Sequence, residues 1–171
     1  MSEFTIWVPG IPQPQGSIQY KGRSRAGKPI LTSDNARLKP WRQMITWLVS
    51  IAEDWQPIEG GVAVEINFVF TRPAFHSGKK GLLPSAPADH LVKPDLDKLV
   101  RAVLDALTEA GAFRDDSQVV RILTTKAYTT TNPGATITVR SAQPRQESRP
   151  SIPAQEQAHG SRPAGIRRVV G

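Results

Sequence analysis

The sequence predicts an α+β domain with a mixed or antiparallel sheet of about four strands and two main helices, followed by a disordered tail. Apolar and polar residues alternate in several short segments, as they do in half-buried strands. In two longer segments the apolar residues recur at three- and four-residue spacing, which is typical of amphipathic helices. Residues 141–171 contain four prolines, five arginines and no aromatic residue, so this segment has too few large apolar side chains to form a packed core.

The strand signals are spread along the chain. Residues 4–8 alternate from Phe4 to Val8, and residues 62–70 give the clearest strand, which we expect near the middle of the sheet. Residues 118–128 read as another strand, and residues 135–140 as a last one after an Asn-Pro-Gly turn. These segments supply the four expected strands.

Each helix signal has one apolar face. In the first helix, after cap candidates at residues 33–35, this face is predicted to hold Trp41, Met44, Ile45, Leu48, Ile51, Ala52 and Trp55. The predicted helix segment has three tryptophans, Trp41, Trp47 and Trp55, and their helical spacing favours a core or a subunit interface over stacking on bases. The second helix carries a stripe at Leu96, Leu99, Val100, Val103, Leu104 and Leu107 and should end near Gly111.

A long connection, residues 71–92, is rich in proline, glycine and serine and precedes the second helix. Connections of this length inside a compact domain are usually functional or disordered, so this one is a candidate for holding substrate. Its histidines, His76 and His90, are expected to be surface or hydrogen-bonded residues rather than metal ligands.

Aspartates flank the second helix. Pro94 places Asp95 and Asp97 at a loop-to-helix junction, and Asp115 and Asp116 precede the next strand. If the carboxylates from these two segments converge, they form a site for Mg²⁺ or Mn²⁺, which take carboxylate oxygens and keep positions open for water and phosphate. The alternative is structural: the first pair complements the helix macrodipole, and the second pair forms a turn.

These segments resemble a known signature. The stretches KPDLDKL (93–99), RAVLDAL (101–107) and RDDSQVV (114–120) are similar, in order and spacing, to the RusA family of Holliday-junction resolvases, especially its phage and prophage members. VPGIPQP (8–14) resembles the opening of these proteins. The resemblance covers about residues 4–140, which predicts a RusA-like domain at 1–140 and a separate tail at 141–171.

The resemblance implies a homodimeric, Mg²⁺-dependent endonuclease that nicks a four-way DNA junction symmetrically, with Mn²⁺ as a possible substitute. The family's metal-binding acids fall on Asp95, Asp97 and Asp116, with Asp115 in a supporting position. The sequence departs from the family pattern twice. Lys98 stands where the family often has asparagine, and Arg101 stands where it has an important lysine. Arginine keeps a charge for a phosphate or a transition state, but its pKa is too high for it to give up a proton.

Composition agrees with a nucleic-acid partner. The net charge of +7 indicates a polyanionic partner, although basicity can also serve solubility alone, and part of the charge belongs to the tail. No apolar run is long enough to span a membrane, and the N-terminus does not read as a signal peptide. The absence of cysteine agrees with a cytoplasmic protein.

A second basic feature lies near the N-terminus. Residues 17–21 and 29–32 are predicted to pair as a hairpin, and its turn region carries Lys21, Arg23 and Arg25. This turn is either a finger that follows a DNA backbone or an ordinary solvated loop. Two functions remain open beside junction resolution: a noncatalytic basic DNA-binding protein, and a nuclease for flaps or forks.

Overall fold

The computed structural model describes residues 3–16, 18–33, 35–53 and 55–142. Its two helices are α1 (Leu38–Ile51) and α2 (Leu96–Glu109). The strands, in chain order, are β1 (Glu3–Pro9), β2 (Ile18–Arg23), β3 (Pro29–Ser33), β4 (Val62–Thr71), β5 (Ser77–Gly78), β6 (Gly81–Leu82), β7 (Val119–Thr129) and β8 (Gly134–Ser141). Four of them form one mixed sheet in the order β1-β8-β4-β7, which confirms the predicted α+β class.

The order of the strands places β4 inside the sheet, as predicted. It pairs antiparallel with β8 on one side and parallel with β7 on the other. Parallel neighbours require a crossover connection, and here α2 lies in the crossover between β4 and β7. Although β7 and β8 follow one another in sequence, they are not neighbours, because β8 lies between β4 and β1. As a result, β7 is an edge strand.

The core lies between the sheet and the two helices. From β4 it takes the alternate apolar residues, which are almost completely buried: Val62, Val64, Ile66, Phe68 and Phe70. The α2 helix contributes the fully buried Leu99, Val103 and Leu107, together with two alanines, while Leu96, Val100 and Leu104 are half-buried. The predicted stripe of α2 is therefore correct, and its most buried members anchor the whole length of the helix.

The predicted face of α1 is partly wrong. Met44 and Ile51 are exposed, whereas Val49, which was not assigned to this face, is fully buried. Trp55 lies beyond the end of the helix, where its indole Nε1 donates to the carbonyl of Val49 at 2.9 Å and its ring packs 5.0 Å from that of Phe4. The backbone leaves the helical conformation at Ala52. The helical spacing by which Trp55 was assigned to the face of α1 therefore does not extend to this residue.

The connection between β4 and α2 is better ordered than its composition indicates. It contains the small hairpin β5-β6, and its two histidines are buried rather than at the surface. His76 is hydrogen-bonded, as the prediction allowed, because its Nδ1 lies 3.4 Å from the guanidinium of Arg72. The ring of His90 lies 4.2 Å from Phe70 and 4.8 Å from Tyr128, and its Nδ1 has no hydrogen-bond partner among the described residues. Burial and the nearby charge of Lys126 lower the pKa of His90, so the imidazole stays neutral to lower pH. These ring contacts hold the connection against the end of β7.

Gly134 is required by close packing rather than by its backbone angles. A Cβ at this position would lie 2.5 Å from the ring of Trp7 and 2.6 Å from the carbonyl oxygen of Val8. We therefore expect Gly134→Ala to lower the free energy of unfolding by roughly 1–3 kcal/mol, measured by urea denaturation. Gly61→Ala is the matched control, since its Cβ would meet the nearest side chains at 3.4 Å. Equal losses in the two variants would contradict this explanation.

Some predicted features fall outside the described residues: the tail from residue 143 onward, Ser17 at the start of the predicted hairpin and Asp34 among the predicted helix caps. Among the described residues, no helix is both long enough and apolar enough to cross a membrane.

Candidate active site

The first part of the site is the start of α2. Asp95 occupies the N-cap position with an extended backbone, yet its side chain makes no capping hydrogen bond. Its carboxylate instead contacts the ammonium of Lys98 at 2.9 Å, and both side chains are about half exposed, at 49%. Asp97 lies in the first turn of the helix and is exposed. Asp95 and Asp97 thus occupy the N-cap and first-turn positions of the structural alternative, where their charges complement the helix macrodipole, but Asp95 makes no capping hydrogen bond.

The turn that carries Asp95 is held from two sides. The ammonium of Lys126, on β7, donates to the carbonyls of Val92 and Pro94, each at 2.8 Å. On the other side, the backbone N–H of Gln15 donates to the carbonyl of Lys98 at 2.9 Å. No local sequence pattern indicates this role of Lys126, because its partners lie 34 and 32 residues away along the chain.

Lys98 sets the charge state of its neighbour. Its hydrogen bond and its charge hold the pKa of Asp95 below the usual range, with smaller contributions in the same direction from Lys93 and Lys126. In return, Asp95 raises the pKa of Lys98. Because a lowered pKa means that folding favours the charged carboxylate, the favourable contribution is present above the unfolded-state pKa. It is lost as the pH falls through the folded-state pKa.

This assignment predicts the effect of replacing Lys98. In Lys98→Met the pKa of the Asp95 carboxyl should rise toward its ordinary value, measured by NMR titration of that side chain. Lys93→Met is the control and should move the same pKa less, because Lys93 contributes charge without the hydrogen bond. A larger shift in Lys93→Met than in Lys98→Met would show that Lys98 is not the main cause.

A cleft of about 510 Å³ opens beside Asp95. It lies between the segment after β1, the start of α1 and the start of α2, and its lining includes Gln13, Pro14, Arg37, Lys93, Asp95 and Lys98. Three cationic side chains thus surround one carboxylate, an arrangement that attracts a phosphate toward the acid. Neither Arg37 nor Lys93 was predicted as a site residue. The position of Lys93 next to Pro94 in the sequence could have indicated that it lies near the acids. For Arg37, only the fold shows that it lines the cleft.

The second acidic segment follows α2 through Gly111, whose φ of 75° suits glycine. Asp115 caps a short 3-10 helix, Asp116–Gln118, by accepting from the N–H of Ser117 at 2.9 Å. A hydrogen bond with the side chain of Ser117, and after it the bond from its backbone N–H, lowers the pKa of Asp115. The side-chain amide of Gln118 donates to the carbonyls of Ile58 and Gly60, which ties the turn to the beginning of β4. Asp115 therefore has a structural role in this turn, and both Asp115 and Asp116 are exposed.

The two acidic segments lie at opposite ends of α2. A helix of 14 residues is about 21 Å long, so Asp116 does not join Asp95 and Asp97 within one chain. Among the described residues, no group of three or more histidine and acidic side chains is placed to hold a metal ion. The expected convergence of three carboxylates is not found in a single chain. The donor chemistry suits Mg²⁺, but one chain brings together only two of the acids, and Lys98 is paired with one of these.

The basic hairpin forms as predicted, with β2 and β3 antiparallel. Lys21, Arg23 and Arg25 are all exposed. The turn is closed by the N–H of Ser24 donating to the carbonyl of Lys28 at 2.7 Å. The hairpin therefore presents its cations to solvent, and a role in contacting DNA remains a prediction. Arg101, one turn beyond Asp97 on α2, is likewise exposed.

Comparison with known proteins places this arrangement in a family. Among curated proteins, none gives a significant match to the chain. Residues 9–140 match the family described as Endodeoxyribonuclease RusA. That range includes both acidic segments, the cleft beside Asp95 and the whole of the basic hairpin, and it ends within β8. The chain therefore belongs to the RusA family of endodeoxyribonucleases, the Holliday-junction resolvases.

Proposed function

We propose that this protein is a Mg²⁺-dependent endodeoxyribonuclease that resolves Holliday junctions by paired, symmetric nicks. The observation that carries the proposal is the start of α2. There the ionised carboxylate of Asp95 makes no capping hydrogen bond and borders a cleft lined by cations. Asp97 lies two residues further along the chain, in the first turn of the helix. An anionic centre surrounded by positive side chains is what cleavage of a phosphodiester requires, because the cations hold the substrate while the carboxylates hold the metal.

The proposed metal-binding carboxylates are those of Asp95, Asp97 and Asp116, with Mn²⁺ able to replace Mg²⁺. When bound, the ion supplies two things: it polarises the phosphoryl oxygen, and it lowers the pKa of a bound water. One chain offers two of these acids close together, and the third lies at the far end of α2. A complete site therefore requires a second copy, which would supply its own Asp116.

The cationic side chains of this chain bind and orient the DNA. Lys98 and Arg101 lie on α2 close to the acids, and Arg37 and Lys93 line the cleft. Each would contact phosphate as a charge or as a hydrogen-bond donor. Arg101 acts electrostatically, because its guanidinium does not release a proton at neutral pH. The exposed cations of the basic hairpin, Lys21, Arg23 and Arg25, would contact the backbone of a DNA arm.

Paired nicks need two equivalent sites. A four-way junction has a two-fold axis, and a C₂ homodimer presents two identical sites related by the same symmetry. We therefore propose that the protein acts as a homodimer on four-way junction DNA. Phosphate contacts recognise charge and shape, so its binding should weaken steeply as salt is raised.

The test is a labelled four-way junction incubated with the protein, with and without Mg²⁺. Paired nicks at symmetric positions, formed only with the metal, are the expected result. A shift of the junction on a native gel with no nicks in either condition would instead identify a noncatalytic DNA-binding protein. Flap and fork substrates in the same assay rank the remaining alternative, since a nuclease specific for those structures would cut them faster than the junction.

A further inference from the structure

The turn that leads into α2 contributes few side chains to the core. It starts at His90 and runs to Leu99, and both of these residues are buried. Directly after His90, however, Leu91 and Val92 are 77% and 60% exposed, and Lys93 is exposed as well. Packing alone therefore does not fix this part of the turn, so its polar contacts decide how it is held.

Lys126 supplies these contacts from both its backbone and its side chain. Its carbonyl accepts from the N–H of His90 at 3.1 Å, and its ammonium donates to the carbonyls of Val92 and Pro94, each at 2.8 Å. The backbone of Lys126 is itself fixed, because it pairs with the fully buried Phe68 in the ladder between β4 and β7. Three hydrogen bonds thus tie the turn to a strand inside the folded sheet.

These bonds matter more to the acid than the charge of the lysine does. The contact with Lys98 is the main cause of the lowered pKa of Asp95, and the charge of Lys126 adds only a smaller effect in the same direction. An ammonium has three N–H donors, and the turn uses two of those of Lys126. One of the two accepting carbonyls belongs to Pro94, the residue immediately before Asp95. Lys126 therefore acts on Asp95 chiefly through the backbone next to it.

We infer that Lys126 is a positioning residue for the cleavage reaction, which holds the turn so that the carboxylates of Asp95 and Asp97 face the substrate phosphate in a fixed arrangement. The inference rests on the proposed function, since it concerns the same acids. Residues that orient metal-binding groups without touching the metal typically change affinity or activity by about 10–100-fold when they are mutated. A displacement of about 1 Å at a reacting centre has a cost of similar size.

The activity test uses Lys126→Met, which keeps an unbranched apolar side chain but loses the donors. In single-turnover cleavage of a labelled four-way junction, the rate constant at saturating junction should fall about 10–100-fold. Binding of the same junction without Mg²⁺ should stay close to that of the wild type. If Lys126 instead contacts phosphate, binding would weaken together with cleavage and would depend less steeply on salt, and that result would overturn the inference.

Chemical rescue separates the ammonium from general damage to the fold. The natural chain has no cysteine, so Lys126→Cys introduces a single thiol. Treatment with 2-bromoethylamine converts this thiol to a lysine analogue, whereas methyl methanethiosulfonate adds an apolar group without an ammonium. Cleavage should return with the first reagent and not with the second. Equal recovery with both reagents, or no recovery with the first when mass spectrometry shows complete modification, would argue against a role for the ammonium and reject the inference.

Backbone motion gives a readout that needs neither metal nor DNA. In the wild type the ¹⁵N order parameters of Lys93 and Asp95 should lie near about 0.85, and in Lys126→Met they should fall toward about 0.6, while that of Leu99 stays high. Lys80→Met is the matched control, since it makes the same change at an exposed side chain of the same connection and should leave these values unaltered. Equal order parameters in Lys126→Met and the wild type would overturn the inference. If the wild type does not cleave the junction, the proposed function fails instead, and the order parameters still show whether Lys126 holds the turn.

Discussion

Asp97→Asn is expected to abolish cleavage of a four-way junction while leaving binding intact. The change removes a negative charge and a metal-binding oxygen from the start of α2, where Asp97 is exposed and makes no ion pair among the described residues. Loss of one group that stabilises a transition state commonly costs about 10²–10³ in rate, and loss of a metal ligand should cost at least that. Binding should not weaken, since removing an anion beside DNA lowers repulsion.

The measurement is single-turnover cleavage of a labelled junction, with binding followed on the same junction in the absence of Mg²⁺. Asp105→Asn is the matched control: it makes the same chemical change on the same helix, at a side chain that pairs with Arg42 at 3.3 Å. We expect the control to cleave at nearly the wild-type rate. Full activity in Asp97→Asn would remove the carboxylate-metal hypothesis, and equal losses in both variants would point to damage of the helix instead.

Leu99→Ala is expected to lower the free energy of unfolding by roughly 2–5 kcal/mol. Leu99 is fully buried one turn inside α2, so truncation leaves a cavity directly beneath the acidic end of the helix. The loss should appear as a lower midpoint in urea, together with weaker cleavage at temperatures near the new melting point. Both would be measured at one protein concentration, because the stability of the proposed dimer would depend on concentration.

Leu82→Ala is the control for this prediction. It removes the same atoms from a side chain that is 58% exposed on β6, where little packing is lost. Its unfolding midpoint should stay close to that of the wild type. If Leu82→Ala is as destabilising as Leu99→Ala, then burial in the core is not what anchors the start of α2.

Local patterns predicted the elements because each pattern depends only on neighbouring residues. The alternation in residues 62–70 gives β4, and the stripe from Leu99 to Leu107 gives the buried side of α2. Pairing between distant strands has no such local signal, so the position of β8 between β1 and β4 could not be read from the turn before it. The face of α1 was predicted partly wrongly for a similar reason: apolar spacing does not reveal that Met44 and Ile51 are exposed.

Some features of the candidate site could likewise be predicted from the local sequence, and others could not. Asp95, Asp97 and Lys98 lie within one turn of helix, so the sequence was sufficient to group them. The separation of Asp116 was not predicted, because residues 110–115 could return the chain to the start of α2, and only the fold shows that Asp116 stays at the far end of the helix. The hydrogen bond from Lys126 to the carbonyl of Pro94 and the place of Arg37 in the cleft depend on tertiary contacts, which residue spacing in the sequence does not reveal.

The bare edge of β7 has a consequence for handling the protein. Among the described residues, no strand pairs with the outer edge of residues 119–125, and Val120 and Ile122 are exposed there. Such an edge can template pairing with any extended chain, which is the first step of aggregation. We therefore expect light scattering by the protein to rise with its concentration.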